Sequence, residues 1–330
     1  MEIPPKSRSY PFVSKAIELA PTACTVCNVC DKPGTLAAAV ERLRVWSNVR
    51  KFKDDAFTVW RCSGCGSLHS AEAVDLNRYY AEYPPHQMDA SKLNFVLRLG
   101  CRNRLRILSR QGLRPSHRIL DYGCGGGMFL RFLKEEGFSN AAGYDAFVPA
   151  FAGRETLEDR YDAVVSWDVI EHVLEPREFF RSLAKVLRPG GLLTIGTPNA
   201  DRVSLAEEED RLAPELHQPY HRHILSEAAL IDLGRENWLS PSHVSHRFYM
   251  DTLYPFINTR FIWDYTVKTG GYIDAQGEPP RFDVILRSPP LLAKAFLGYF
   301  APNRGSMIIS FRKPDGLSGR QCSSKPSSIA

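Results

Sequence analysis

From residue 118 onward the chain alternates between short apolar runs and stretches whose apolar positions recur every three or four residues. The runs, bounded by glycine, proline or charge, predict strands at Arg118–Tyr122, Ala141–Tyr144, Asp162–Trp167 and Leu192–Thr197. The periodic stretches predict helices over Met128–Gly137 and Pro176–Leu187, and Gly190-Gly191 marks the turn into the fourth strand. This alternation describes an α/β fold with a parallel sheet flanked by helices. Before it, Leu97, Cys101, Leu105 and Leu108 predict a helix from about Ser91 to Gln111, with Arg98, Arg102, Arg106 and Arg110 as a basic face. Residues 70–92 read as a polar and aromatic connector containing Tyr79, Tyr80, Tyr83, Pro84 and Pro85. Further upstream, NVRKFKDDAFTVWRC reads as a hairpin with Lys53-Asp54-Asp55 at its tip. Met307–Arg312 reads as a last strand, and the aromatic and polar stretch between, about residues 240–304, as an insertion or substrate cap.

Length and composition narrow this picture. A chain of 330 residues makes room for about two domains. Its 44% apolar and 24% charged residues exclude a wholly disordered chain, a collagen-like fibre and a coiled coil. Leu291–Ala301, the longest apolar stretch, is interrupted by Lys294 and is too short to span a bilayer. MEIPPKSRSYPF lacks an apolar core with a cleavage site, so a cytoplasmic location is expected, with no membrane partner. A net charge of +5 permits an anionic partner without requiring one. From Asp315 on, the Ser-, Gly- and Pro-rich tail reads as disordered.

Five of the eight cysteines cluster, as Cys24, Cys27 and Cys30 and then Cys62 and Cys65. Two Cys-x-x-Cys knuckles bring four thiolates to one point and predict a structural zinc ion. Both Cys24/Cys27 and Cys27/Cys30 have the required spacing; Cys27, Cys30, Cys62 and Cys65 are the preferred set, with Cys24 as spare or substitute. With the hairpin between the knuckles, this describes a zinc ribbon.

The most informative segment is Ile119-Leu120-Asp121-Tyr122-Gly123-Cys124-Gly125-Gly126-Gly127-Met128, where a strand ends, a glycine-dense turn follows and a helix begins. Glycines allow close approach of a ligand, and a helix N-terminus offers free N–H groups. The pattern is G-x-G-x-G, not the dinucleotide G-x-G-x-x-G, because Met128 stands where that fingerprint needs glycine.

Residues 118–198 resemble the class I S-adenosylmethionine-dependent methyltransferases. ILDYGCGGG is similar to that family's first motif, GYD ending at Asp145 to its second, VVSWDVIEHV to its fourth strand and LRPGGLLTIGTPN to its fifth. The ribbon followed by Tyr79-Tyr80 resembles a subgroup with an N-terminal zinc-ribbon module. The resemblance implies a Rossmann-like methyltransferase sheet and S-adenosylmethionine as cofactor. It implies that Asp121 helps hold the cofactor's ammonium end, that Gly123, Gly125 and Gly127 carry its methionine part, and that Asp145 accepts from the ribose hydroxyls. Trp167 and Asp168 would line the adenine or sulfonium side. The stretch between Asp145 and Tyr161 is short for the helix and third strand that the family fits there. The third strand is expected to be vestigial, with Leu157 and Glu158 as weak candidates for adenine contact.

Two constellations are candidates for the chemistry. Asp168-x-x-Glu171-His172 is similar to a segment of ubiquinone-biosynthesis O-methyltransferases and of small-RNA 2′-O-methyltransferases, and there a divalent cation is the lesser alternative to direct contact with cofactor and substrate. Leu216-His217-Gln218-Pro219-Tyr220-His221-Arg222-His223 follows the charged run Glu207–Arg211 and precedes a helix capped by Ser226. Histidine is a natural general base near neutral pH, so His221, then His217, with His172, are the catalytic candidates. The expected layout is an arm (1–20), the zinc ribbon (21–70), a connector and helix (71–112), the S-adenosylmethionine-binding core (113–239), the cap (240–304), a last core strand (305–314) and the tail (315–330). The expected activity is methyl transfer to a small or medium organic acceptor, most readily at oxygen. The alternatives are an RNA methyltransferase gripping phosphates with the arginine face and ribbon, and a non-catalytic cofactor-binding module.

Overall fold

The computed structural model describes residues 23–31, 34–81, 93–206, 216–301 and 305–316. The arm, Tyr83, Pro84 and Pro85 of the connector, the helix start at Ser91, the run Glu207–Arg211 and the tail beyond residue 316 lie outside the described residues. The N-terminal part contains strands β1 (Arg42–Trp46), β2 (Ala56–Arg61) and β3 (Leu68–Ser70) and a short helix α1 (Leu76–Tyr80). The hairpin pairs β1 with β2, so its first strand ends before Asn48 instead of beginning there. The charged residues of Arg42-Leu43-Arg44-Val45-Trp46 obscure a strand whose inward positions are Leu43 and Val45. Residues 47–55 form the connection, and within it Asn48 is buried.

Helix α2 (Phe95–Arg110) begins at Asn94, whose side chain accepts from the Leu97 N–H and satisfies one of the helix's free donors. The main sheet follows: β4 (Ile119–Tyr122), α3 (Met128–Glu135), β5 (Ala141–Tyr144), β6 (Tyr161–Trp167), α4 (Pro176–Val186) and β7 (Leu187–Pro198). Beyond it lie β8 (His223–Ile224), α5 (Glu227–Glu236), β9 (Ser240–Ser245), helices α6 (Thr259–Lys268), α7 (Phe282–Leu286) and α8 (Pro289–Leu297), and β10 (Ser306–Arg312). The order is β5-β4-β6-β7-β10-β9, with β5, β4, β6 and β7 parallel and β10 antiparallel to both of its neighbours.

Alternation along the strands sorts the core into two layers, because successive side chains point to opposite faces. Ile119, Ala163, Val165 and Leu192 pack with Phe129 and Phe132 of α3 and with Cys101 and Leu108 of α2. Leu120, Val164 and Leu193 pack with Phe179 and Phe180 of α4 and with Leu230 and Leu233 of α5. The second layer continues without a break into the N-terminal part through Trp60, Cys62 and Val29.

Beyond β5 there is no further strand at that edge among the described residues; residues 149–151 and 154–157 form single 3₁₀ turns instead. The insertion differs from expectation at its start. Residues 240–245 are the edge strand of the main sheet, so the inserted segment begins after Ser245. Ser240-Pro241-Ser242-His243-Val244-Ser245 is almost wholly exposed and carries no inward apolar alternation, and its proline is tolerated at an edge. The helices α6, α7 and α8 share a small core of Phe261, Tyr265, Ile285, Leu291 and Ala295. The segment between α6 and α7 contacts the hairpin connection, where the Ile273 N–H donates to Asn48 O at 2.9 Å and Arg50 pairs with Glu278 at 2.5 Å. No helix among the described residues is long and apolar enough to cross a membrane.

Gly196 of β7 shows how tightly the sheet is packed beneath the site. A methyl group there would come within 2.5 Å of Trp167 Cε3, a fully enclosed ring carbon on the neighbouring strand. Gly196→Ala is therefore expected to destabilise the fold by about 1–3 kcal/mol through overpacking, read as a shift of the urea midpoint at unchanged m-value.

Candidate active site

The chain order reverses at β4, which has β5 on one side and β6 on the other. Ligands of open α/β sheets bind at the carboxyl ends of strands at such a point. The glycine turn lies there, and Gly123, Gly125 and Gly127 have φ of 80°, 53° and 76°, in the region that favours glycine. A methyl group on Gly123 or Gly127 would collide with Val169 or Phe151, whereas at Gly125 it would meet nothing within 4 Å. Asp145 closes β5 with its carboxylate turned to this turn, accepting the Gly125 N–H at Oδ2 and the Phe147 N–H at Oδ1, both at 2.9 Å.

Beneath the turn lies a buried charge set. Burial pushes the Asp121 carboxyl up to about 7, with the Arg104 guanidinium opposing and Asp145 adding to the rise. Arg104, from α2, lies 3.8 Å over the Tyr249 ring. Tyr249 donates its hydroxyl to Asp168 Oδ2 at 2.6 Å, and burial raises Asp168 while this bond and Arg104 act against the rise. The Trp167 side chain, which the resemblance puts at the adenine or sulfonium side, is buried in the core, 5.4 Å from Tyr249 between ring centres.

A second group lies just after β6. Donor atoms of Glu171, His172 and His221 are all within 4.8 Å of one another. Asp168 is not part of this group, since its carboxylate is engaged by Tyr249; His221 takes the place expected for it beside Glu171 and His172. Glu171 is wholly buried. It accepts from the Thr197 hydroxyl at 3.0 Å, and its Oε1 has no hydrogen-bond partner among the described residues. Burial, then Asp168, holds its carboxyl well above the usual range. His172 Nδ1 lies 3.1 Å from Tyr220 O, which can only accept, so the proton sits on Nδ1 and Nε2 keeps its lone pair. The Tyr80 hydroxyl approaches the same Nδ1 at 3.0 Å, while the Tyr80 ring stacks on Phe147, 5.6 Å away. Tyr80 therefore spans the distance from the Asp145 turn to the histidines.

His217 is buried beside them, stacked on Tyr220 at 4.8 Å, with Nδ1 2.8 Å from Asn48 Oδ1. Burial, then the nearby His172, brings its pKa down to about 3, which makes it a feeble proton acceptor. Neither Asn48 nor Arg104 stood out in the sequence, because nothing in a hairpin connection or in a helix with many arginines marks one as inward-facing. In the ribbon, Cys27, Cys30, Cys62 and Cys65 come together, with sulfurs 3.8 Å apart for Cys27/Cys30 and Cys27/Cys65 and 3.9 Å for Cys30/Cys62. Cys24 lies elsewhere, against His69 and His223.

Residues 89–237 match the family model described as a methyltransferase domain. A ubiquinone biosynthesis O-methyltransferase from Cereibacter sphaeroides is 30% identical over 177 residues, covering 44% of this chain and 70% of that protein. The chain belongs to the class I S-adenosylmethionine-dependent methyltransferases. A further relative of this methyltransferase, the ubiquinone biosynthesis O-methyltransferase of Caulobacter sp. (strain K31), is 34% identical over 110 residues, 27% of this chain and 44% of that protein. The chain spans about half the length of the first curated relatives it matches. Among solved structures, a cyclopropane synthase from Mycobacterium tuberculosis is similar at 16% identity and a TM-score of 0.42, covering 64% of this chain and 83% of that chain. A likeness that loose carries no weight here.

The crevice of this methyltransferase suits its cofactor: an open space over Gly125, with a carboxylate beside it and a buried acid below. The raised Asp121 has a sign that can be worked out. With a folded pKa near 7 against 3.8 for a free side chain, the folded state holds a proton between those values that the unfolded chain has released. Asp121 therefore lowers stability as pH rises from about 4 to 7. Asp121→Asn is expected to flatten that decline and to be more stable than wild type at pH 8, by on the order of 2 kcal/mol, in urea titrations of the ligand-free protein at pH 5 and pH 8.

Proposed function

We propose that this methyltransferase methylates an oxygen of a small or medium-sized organic acceptor, with His221 as the group that takes the acceptor's proton. The observation that carries the reading is the Glu171, His172 and His221 group at the mouth of the sheet, joined by Tyr80 to the Asp145 turn. The two curated relatives, named as O-methyltransferases of ubiquinone biosynthesis, support oxygen as the methylated atom.

Bound S-adenosylmethionine supplies an activated methyl on its sulfonium. Gly123, Gly125 and Gly127 would let its methionine part lie against the backbone, Asp121 would face its ammonium, and Asp145 would accept from its ribose hydroxyls. The chain's remaining task is to align a hydroxyl and remove its proton. His172 has its Nδ1 at Tyr220 O, which leaves Nε2 as the unprotonated ring nitrogen. His221 faces the His172 ring at 5.0 Å between centres. The Glu171 carboxyl, raised by burial, lies beside both imidazoles, with Oε1 unpaired among the described residues. The same donors suit a divalent cation, which would polarise the hydroxyl in their place. Cys27, Cys30, Cys62 and Cys65 would hold a structural zinc ion, for which tetrahedral bonds of about 2.3 Å separate sulfurs by about 3.8 Å.

His221→Ala should lower kcat by about 10²–10⁴-fold while S-adenosylhomocysteine binds near its wild-type affinity in calorimetry. Asp145→Ala should instead weaken that binding by about tenfold or more. Mass spectrometry of a cell extract incubated with the enzyme and methyl-deuterated cofactor should show deuterated methyl ethers or esters of small molecules; label confined to nitrogen or to RNA would refute the reading. Cys30→Ser and Cys62→Ser should each lose one zinc relative to wild type by elemental analysis and melt at lower temperature.

A further inference from the structure

Cys24 completes a second set of soft donors. Its sulfur lies 3.7 Å from Nδ1 of His69 and 3.9 Å from Nδ1 of His223, and those two nitrogens are 2.9 Å apart. The three residues come from the stretch before the first cysteine knuckle, from β3 and from β8, and their donor atoms share one small volume. We propose that Cys24, His69 and His223 form a second metal site, for a zinc-type divalent ion, separate from the four-thiol centre.

Each ligand is already oriented. His223 Nε2 lies 3.2 Å from the carbonyl oxygen of Leu174, which can only accept, so Nε2 carries the proton and Nδ1 presents its lone pair to the site. A backbone carbonyl on the far nitrogen is the usual support of a metal-bound histidine. The His69 ring is wholly enclosed and lies 4.7 Å from the Trp60 ring, and its Nε2 has no hydrogen-bond partner among the described residues to turn it another way. Cys24 is fixed on both sides of its backbone: its N–H donates to Ala71 O at 2.9 Å and its carbonyl accepts the Trp60 Nε1–H at 2.8 Å. Tetrahedral zinc bonds of about 2.3 Å to sulfur and 2.0–2.1 Å to nitrogen would separate S from N by about 3.6 Å and N from N by about 3.3 Å. The observed spacings lie on either side of these values, so a shift of a few tenths of an ångström brings all three donors onto one ion. Three protein ligands leave one tetrahedral position, beside the half-buried Cys24, for water or a further ligand.

Because β3 belongs to the ribbon and His223 follows His221 by two residues, the ion would join the ribbon directly to the segment that carries His217 and His221. The competing arrangement is a bare N–H···N hydrogen bond between the two imidazoles with a free thiol beside them.

The test counts metal in the full chain, loaded with excess zinc and freed of unbound ion by gel filtration. Wild type should hold at least two zinc ions. Cys24→Ser and His223→Gln should each hold one fewer, whereas Glu171→Gln should still hold at least two. In cobalt-substituted protein, the tetrathiolate charge-transfer band should persist in Cys24→Ser, showing that the ribbon remains folded. A wild-type chain holding a single zinc overturns the proposal without recourse to any variant. So does Cys24→Ser with an undiminished count, or a second ion lost only on Glu171→Gln.

Discussion

One backbone carbonyl holds the site together. Glu171 O accepts the N–H of Arg222 at 2.8 Å and the N–H of His223 at 3.1 Å, tying the segment after β7 to the turn after β6. From that anchor the chain runs directly into β8, which pairs with β3 of the ribbon. The Arg222 side chain is buried between the two, its guanidinium donating to Ser70 Oγ, Ser70 O and Glu72 O. A buried cation is tolerable only when its donors are satisfied, so this short segment has little freedom to sit elsewhere. His172, His217 and His221 face one another as a consequence.

The ribbon is part of the site's construction. Its hairpin connection supplies Asn48 to His217, and the short helix that follows supplies Tyr80 to His172. The Tyr220 hydroxyl donates back to Tyr79 O at 3.0 Å. Its apolar residues merge with the layer that supports β4, β6 and β7. Two non-glycine residues at the site, Asp168 and His217, have left-handed backbones with φ of 54° and 46°. Such conformations cost about 1–3 kcal/mol and persist where the surroundings over-determine them, as the contacts of Tyr249 with Asp168 and of Asn48 with His217 do here.

The glycine turn was legible because its chemistry is local: strand end, glycines and helix start follow one another without interruption, so spacing alone conveyed the geometry. The same holds for the two cysteine knuckles and for the central strands, whose burial on both faces leaves unbroken apolar runs. Three features were less legible. The strand at 240–245 is polar and lies at an edge, so no alternation marked it. The resemblance put Trp167 on the ligand's side of the strand end, and period-2 alternation packs its side chain into the core layer of α2 and α3. Asp168 was grouped with Glu171 and His172 by a resemblance in their spacing, yet the chain there is a turn and Tyr249 engages its carboxylate.

The sequence by itself determined the α/β architecture, the cofactor crevice and the four-thiol cluster, since each depends on residues near in the chain or on a period that burial imposes. Tertiary structure alone decided which histidines meet, that Cys24 leaves the other cysteines for His69 and His223, and that Arg104 and Asn48 turn inward. Those contacts join distant parts of the chain. They arise from the few arrangements in which most buried polar groups find a partner, and no local pattern encodes that requirement.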